Sequence, residues 1–288
     1  MLAYPASNKP IDYTKKVFIQ PKLDGVRCLI QFDNDPKADY KGRIHERVKA
    51  YSRTGKEWKN IDHILFNLYP WFCLNPNVVL DGELYNHDFK DDFESIISMV
   101  RKTKPTAEDR LKSAENVQFH CYDCIDMGLI DASFENRMNF ITYNVPRNHC
   151  VKHVTTDRVY KHEEALDIHH NTNLVNGYEG SILRTNDPYA CKRSHNLRKF
   201  KDFHDTEATI TGWVEGKGKR KGTIGKFLAI DADGIEFGMP VMDKFKYLQD
   251  NFKLMQSYVG KIATFTYFER TKANSYRHPL FKCIRDYE

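Results

Sequence analysis

Apolar positions along the 288-residue chain change period several times. Val17-Phe18-Ile19-Gln20 and Val26 to Phe32 are β-rich runs separated by Pro21 and the turn signal Asp24-Gly25, which predicts two strands flanking Lys22-Leu23-Asp24-Gly25. From Ile61 to Leu74 the spacing becomes helical, with Ile61, Ile64, Leu65 and Leu68 in register and Tyr69, Trp71 and Phe72 closing a core-facing helix. Asn77 to Tyr85 reads as a buried strand that abruptly carries Asp81 and Glu83. Residues 91–116 read as helical, Val117 to Asp123 as another strand, and Glu163 to Asn173 as a short helix with His169 and His170 at the surface. Strand character returns at Tyr178 to Arg184 and Asn196 to Lys201, whereas polar residues 1–16, with two prolines, read as a lead-in lying over a cleft.

Beyond Lys201 the pattern shifts to short β runs at Glu207–Trp213, Gly225–Asp231, Ile235–Gly238 and Lys261–Arg270. Glycine-rich turns separate them and one helical stretch, Met242 to Tyr258, interrupts them, which fits a small barrel of the oligonucleotide-binding (OB) kind. The expected fold is α+β in two domains, 1–201 followed by 202–288, and the chain is long enough for each to bury a core.

Composition adds limits. At 41% hydrophobic and 29% charged the chain is that of an ordinary soluble protein, and a net charge of only +5 means that a polyanion must be met by local patches. Met1 to Lys16 holds no apolar core of signal-peptide length, and no uncharged run reaches about 18 residues, so an intracellular, cytoplasmic protein with no membrane partner is expected. Seven cysteines, an odd number, suit a reducing compartment. Cys121-Tyr122-Asp123-Cys124 lacks a second pair, and on a regular strand its cysteines face opposite ways, which argues against zinc.

Several stretches carry candidate chemistry. Lys22 stands beside Asp24, Gly25 and Arg27 at a strand end, where an amine that sheds its proton can attack phosphorus. Tyr51 to Lys56 is a polar turn centred on Arg53. A carboxylate on a buried strand, such as Glu83, meets a cation, a hydroxyl or solvent. Tyr122 serves either as core packing or as a stacking platform for a base. Glu179 repeats the carboxylate-glycine theme. Lys199 and Lys201 share one strand face, with Phe200 on the other, and their repulsion invites an anion. Arg101, Lys102 and Lys104 form a small basic cluster, and the glycine-flanked turn Lys217, Lys219, Arg220, Lys221 is read as a phosphate contact.

In order, Lys22-Leu23-Asp24-Gly25-Val26-Arg27, Ser52-Arg53-Thr54-Gly55, Asp81-Gly82-Glu83, the strand ending Tyr122-Asp123, Glu179 to Arg184 and Lys199-Phe200-Lys201 resemble the nucleotidyltransferase motifs of the ATP-dependent DNA ligases. The tail resembles their OB domain, and the resemblance runs from about Phe18 to Arg285, as in a minimal ligase with no DNA-binding domain ahead of Lys22. It implies an antiparallel-sheet nucleotidyltransferase (adenylation) domain and an OB-fold β-barrel. Lys22 would form a covalent lysyl-AMP with ATP, transfer AMP to the 5′-phosphate of a nick in duplex DNA, and allow the 3′-hydroxyl to seal it, as in repair, replication or recombination. Gln20, Leu23, Arg27, Arg53, Glu83, Tyr122, Glu179, Lys199 and Lys201 would hold the nucleotide. Asp24, Glu83 and Glu179 would serve Mg2+, with Mn2+ as substitute. Lys217, Lys219, Arg220 and Lys221 would bind DNA, Arg285 would orient pyrophosphate, a hinge would lie at Asp202 to Asp205, and the protein would act as a monomer. Two departures from the family pattern stand out: the last motif of the family often reads Arg-x-Asp-Lys, whereas the tail here reads Ile284-Arg285-Asp286-Tyr287-Glu288 and lacks the lysine, and a short basic turn stands where some minimal ligases carry a long DNA-encircling hairpin, from which steep salt dependence is expected. An RNA ligase or a GTP-dependent mRNA-capping guanylyltransferase of the same superfamily is the alternative.

Overall fold

The computed structural model describes residues 1–6, 9–35, 44–90, 92–126, 128–201, 203–242, 245–271 and 273–285. The chain divides into two compact units, Met1–Lys201 and Asp202–Glu288. The fold is mixed α+β, with sheets paired mainly antiparallel.

In the first unit the strands are β1 (Leu2–Pro5), β2 (Val17–Lys22), β3 (Val26–Phe32), β4 (Val48–Tyr51), β5 (Val78–Tyr85), β6 (Gln118–Asp126), β7 (Val151–His153), β8 (Asp157–Val159), β9 (Gly180–Thr185) and β10 (Arg193–Phe200). They form two five-stranded sheets, ordered β1-β10-β9-β2-β8 and β4-β3-β5-β6-β7. Helices α1 (Asp62–Leu74), α2 (Phe93–Val100), α3 (Ala107–Asn116), α4 (Phe134–Asn144) and α5 (Asn171–Val175) accompany them. Local chemistry starts the helices: Asp92 and Ser133 cap α2 and α4, and Thr106 forms a reciprocal capping box with Asp109 at α3. In α1 the buried residues Ile64, Leu68, Trp71 and Phe72 recur at helical spacing and join Cys28, Ile30, Leu80, Leu84, Phe119 and Cys121 in the main core. Alternation along β2 sends Val17 and Ile19 into a second cluster and Phe18 into the main one, leaving Gln20 and Lys22 on the side of Phe18.

Four sequence expectations change. Within the expected lead-in, Leu2–Pro5 is an edge strand paired parallel with β10, from Leu2 opposite Arg193 to Pro5 opposite Lys199, although Leu2 and Ala3 do border a cleft. His170 is buried, its Nδ1 3.1 Å from Ser181 Oγ, although His169 is half-buried beside Asp157. Cys121 and Cys124 do not face opposite ways. In β5–β6 pairing Asp81 opposes Asp123 but Gly82 opposes Cys121, so Tyr122 is an extra residue, a β-bulge, and the phase shift returns both thiols to the core. The tail forms a strand that the sequence pattern did not predict, Leu280–Ile284.

The second unit contains β11 (His204–Glu215), β12 (Ile224–Ile230), β13 (Glu236–Pro240), α6 (Phe245–Asp250), a 3-10 stretch Phe252–Tyr258, β14 (Ile262–Tyr267), the short hairpin β15 (Glu269–Arg270) and β16 (Tyr276–Arg277), and β17 (Leu280–Ile284). The five long strands run β13-β12-β11-β14-β17 around Ile210, Phe227, Met239, Phe265 and Tyr276. Register shifts at Ile210/Gly212 and Val214/Glu215 bend the long central strand. No helix among the described residues is long and apolar enough to cross a membrane.

Candidate active site

Lys22 ends β2 directly opposite Gly180 of β9. Gly180 has φ 144° and lies against the carbonyl oxygen of Phe200, so only glycine lets the end of β10, flanked by Lys199 and Lys201, come this close. Gly25 has a similar constraint, since a Cβ there would meet Leu84 O at 2.5 Å and Glu83 Cγ at 2.6 Å. The turn after Lys22 is thereby laid on β5 at Glu83.

The lysine amine is held by a carboxylate shared between cations. Lys22 Nζ donates to Glu179 Oε2, Lys201 pairs with Glu179 Oε1, and the amide of Glu179 donates to Lys22 O at 3.1 Å. Burial, followed by the charge of Lys201 and with help from Lys199, draws the Lys22 ammonium down to about 7, against the opposing pull of Glu83 and Asp24. Lys199 is also lowered, by burial and then by Lys201 and Arg193. Burial pushes Glu83 up to about 8, with Lys22 and Arg27 pulling it back, and Tyr122 donates its hydroxyl to Glu83 Oε2 at 3.4 Å.

A cleft of about 920 Å3 opens beside these groups, lined by Lys22, Gly25, Arg27, Arg53, Glu83 and Lys199. Its walls add further cations, Arg101, Lys102 and Arg193, so Arg101 and Lys102 of the small basic cluster seen in the sequence face this space, and Lys104 is not among the lining residues. Arg53 is exposed on the turn after β4. Leu23 packs beside Tyr85 and Val154, next to Tyr122 and Tyr178. Arg27 borders the cleft with its planar fork engaged elsewhere: Nε and Nη2 donate to Asp81 at 2.9 and 2.8 Å, Nη1 to Met1 O at 2.6 Å and Nη2 to Tyr189 Oη at 2.9 Å. Tyr189 Oη in turn donates to Asp81 Oδ2 at 2.7 Å. Gln20 is buried, with its amide bonded within the protein.

In the second unit Lys217, Lys219 and Lys221 are exposed on the basic turn, which Gly218 (φ 59°) and Gly222 (φ 76°) allow to fold back. Arg220 anchors that turn, donating from Nη2 to Val241 O at 2.9 Å, while the amide of Gly222 donates to Glu215 Oε1 at 2.7 Å. Arg285 pairs with Glu207. Of the expected hinge, Asp202 lies outside the described residues and His204-Asp205 begin β11; Asp286 to Glu288 also lie outside.

Sequence reasoning missed a buried ionic cluster. Asp123 is enclosed between Arg137 of α4 and Arg184 of β9, and neither arginine is more than 4% exposed. The only signal was that Arg184 ends an otherwise apolar strand.

A lysine-bearing pair of antiparallel-rich sheets followed by a small five-stranded barrel-like unit defines a nucleotidyltransferase with an OB-type appendage. The family model for the ATP dependent DNA ligase domain matches residues 1–201, and that for the DNA ligase OB-like domain matches residues 215–285. The chain belongs to the ATP-dependent DNA ligase family. Solved structures sharing its fold include one from a structure-function study of Lig E DNA ligases that bind DNA with a minimal scaffold, at TM-score 0.74 and 24% identity over 99% of this chain and 98% of that one. Another, Pmar-Lig_Pre, aligns at TM-score 0.76 and 21% identity over 100% of this chain and 67% of that one. The bacteriophage T7 ATP-dependent DNA ligase in complex with ATP aligns at TM-score 0.52 and 17% identity over 99% and 97%. No curated protein sequence matches the chain significantly.

Proposed function

We propose that this protein seals nicks with 5′-phosphate and 3′-hydroxyl ends in duplex DNA through a lysyl-AMP at Lys22, with residues 1–201 as the adenylation domain and 202–288 as the OB-fold domain. The observation that carries this reading is the Lys22 amine, drawn down to about 7 beside Glu179 and Lys201 at the edge of a cationic cleft. An unperturbed lysine, with pKa about 10.4, is almost wholly protonated at neutral pH. Here burial and the charge of Lys201 shift the balance toward the free amine. Its nitrogen bonds to the α-phosphorus of ATP, the bond to the β-phosphate oxygen breaks, and pyrophosphate leaves.

Lys199 and Lys201 then neutralise charge on the phosphoryl oxygens, while Tyr122 stacks on adenine above the pocket of Leu23 and Tyr178. Arg53, Arg101, Lys102 and Arg193 form the cleft wall suited to the 5′-phosphate of the nick, and Arg27, fixed by Asp81, shapes the floor. Glu179, Glu83 and Asp24 supply hard oxygen donors facing Lys22. No ready-made cage of three or more metal-ligating side chains is found among the described residues, which suits a Mg2+ or Mn2+ ion held jointly with substrate phosphates. When bound, such an ion neutralises developing charge.

The decisive experiment incubates the protein with labelled ATP or GTP and with nicked DNA or RNA. Covalent AMP on the intact protein and sealing of DNA are expected; label arising from GTP alone sinks the reading. The adenylylation rate should rise with pH through about 7 and level off above it, because deprotonation makes the nucleophile. Lys201→Met removes a like charge and leaves Glu179 to Lys22 alone, so the profile should move to higher pH. A profile that stays in place speaks against this tuning.

Lys217→Ala/Lys219→Ala/Lys221→Ala should weaken binding to nicked duplex and flatten its log–log salt dependence by up to about three units, each exposed lysine releasing about one counterion. Adenylylation should be unchanged. Equal losses in both assays would show that the turn does not act on DNA alone.

A further inference from the structure

A buried polar lattice links the ionic cluster of the first unit to the bulged tyrosine. Asp123 Oδ1 accepts from Arg137 Nε at 2.7 Å and from the amide of Cys124 at 2.9 Å, and Oδ2 accepts from Arg137 Nη2 at 3.2 Å and Arg184 Nη1 at 2.6 Å. Arg184 Nε donates to Gln20 Oε1 at 2.7 Å. Gln20 Nε2 then donates to Thr156 Oγ1 at 2.8 Å and to the carbonyl of Tyr122 at 3.2 Å. Arg184 closes the circuit, its guanidinium carbon 5.2 Å from the centroid of the Tyr122 ring.

The extra residue of a β-bulge loses its place in the ladder, and its polar backbone groups need other partners. Gln20 provides one for Tyr122. At 2% exposure, with both amide hydrogens and a lone pair of its oxygen engaged, Gln20 is bonded to the protein on both sides. Arg184 lies over one face of the ring, so the ring cannot turn without giving up a cation–π contact.

We infer that Gln20 and Arg184 are positioning residues for the purine: they hold Tyr122 at its bulge, and nucleotide affinity depends on them through that ring and not through contact with the base. This differs from the sequence-level expectation that Gln20 holds the nucleotide, and it rests on the proposed role of Tyr122 as adenine platform.

The test measures KM and the maximal rate of lysyl-AMP formation with ATP and with the purine riboside triphosphate that lacks only the 6-amino group. Gln20→Ala and Arg184→Lys should raise KM about tenfold for both nucleotides and leave the maximal rate within about twofold, the scale of one lost hydrogen bond and a loosened stacking contact. In a Tyr122→Ala background both penalties should vanish, as expected of coupled neighbours. Because Arg184 belongs to a buried ion cluster, Gln20→Glu supplies the same test with that cluster intact: it keeps an acceptor for Arg184 and removes the donor to Tyr122 O, and it should match Gln20→Ala.

Three results overturn the inference while leaving an active ligase: a Gln20→Ala penalty that disappears when the 6-amino group is absent, penalties that add to that of Tyr122→Ala, or a wild-type KM in Gln20→Glu. A wild-type protein that forms no lysyl-AMP from either nucleotide overturns the reading of the cleft itself, and this inference with it.

Discussion

Lys22→Ala is expected to take up no AMP from ATP and to seal no ordinary nick, yet to close a nick whose 5′-phosphate already carries AMP. In the proposed reaction the side chain is needed as a nucleophile only while AMP passes through the protein. The final bond of that reaction would be made between DNA ends, and Lys199, Lys201 and the cleft wall would remain to hold them. Lys22→Arg sharpens the comparison. It keeps a cation facing Glu179, but a guanidinium stays protonated at any useful pH and should be equally inert with ATP. Intact mass after incubation with ATP, together with gel assays on plain and pre-adenylylated nicks, separates the steps. Retention of AMP by either variant would move the nucleophile elsewhere.

Asp123→Ala is expected to destabilise the first unit by about 3–5 kcal/mol, the usual scale for removing one partner of a buried ion pair. The carboxylate is fully buried and is the anion between Arg137 and Arg184. Without it two guanidiniums stay enclosed with carbonyl and amide oxygens as partners, among them Ala132 O, Asp187 O and Gln20 Oε1. Such a loss is comparable to the whole stability of many domains, so poor expression at 37 °C is part of the expected outcome. Urea titration by circular dichroism measures it. A loss below about 1 kcal/mol would mean that the arginines relax to water and that the cluster is not a structural hub.

The residues around Lys22 were legible because each sits in a short contiguous string at a strand end. Lys22, Glu179, Lys199 and Lys201 need only β2, β9 and β10 to be neighbours, and alternation carried one step past the end of β10 puts Lys201 on the same face as Lys199. The strands of the second unit up to Arg270 were legible through their turns, but β16 and β17 were not, and the five residues of β17 carry no glycine or regular alternation of their own. What the one-dimensional pattern hid were partners far apart in the chain. Arg27 meets Asp81 and Tyr189, Asp123 meets Arg184, and Leu2–Pro5 gains strand structure only by pairing with residues nearly two hundred positions away. The bulge was hidden for another reason. Cys121-Tyr122-Asp123-Cys124 looks like an uninterrupted strand, and the single inserted residue shows only against the register of β5.

The distribution of the thiols offers a means of following the two units in solution. Cys28, Cys121, Cys124 and Cys150 are buried, and burial raises the pKa of each, which keeps them poor nucleophiles toward maleimides. Cys73 and Cys191 of the first unit and Cys283 of the second are exposed. A Cys191→Ser variant therefore carries one addressable thiol per unit, at α1 and at β17, without any engineered cysteine. Fluorophores or spin labels at Cys73 and Cys283 convert the separation of the units into a measurable distance distribution, with and without ATP and nicked duplex.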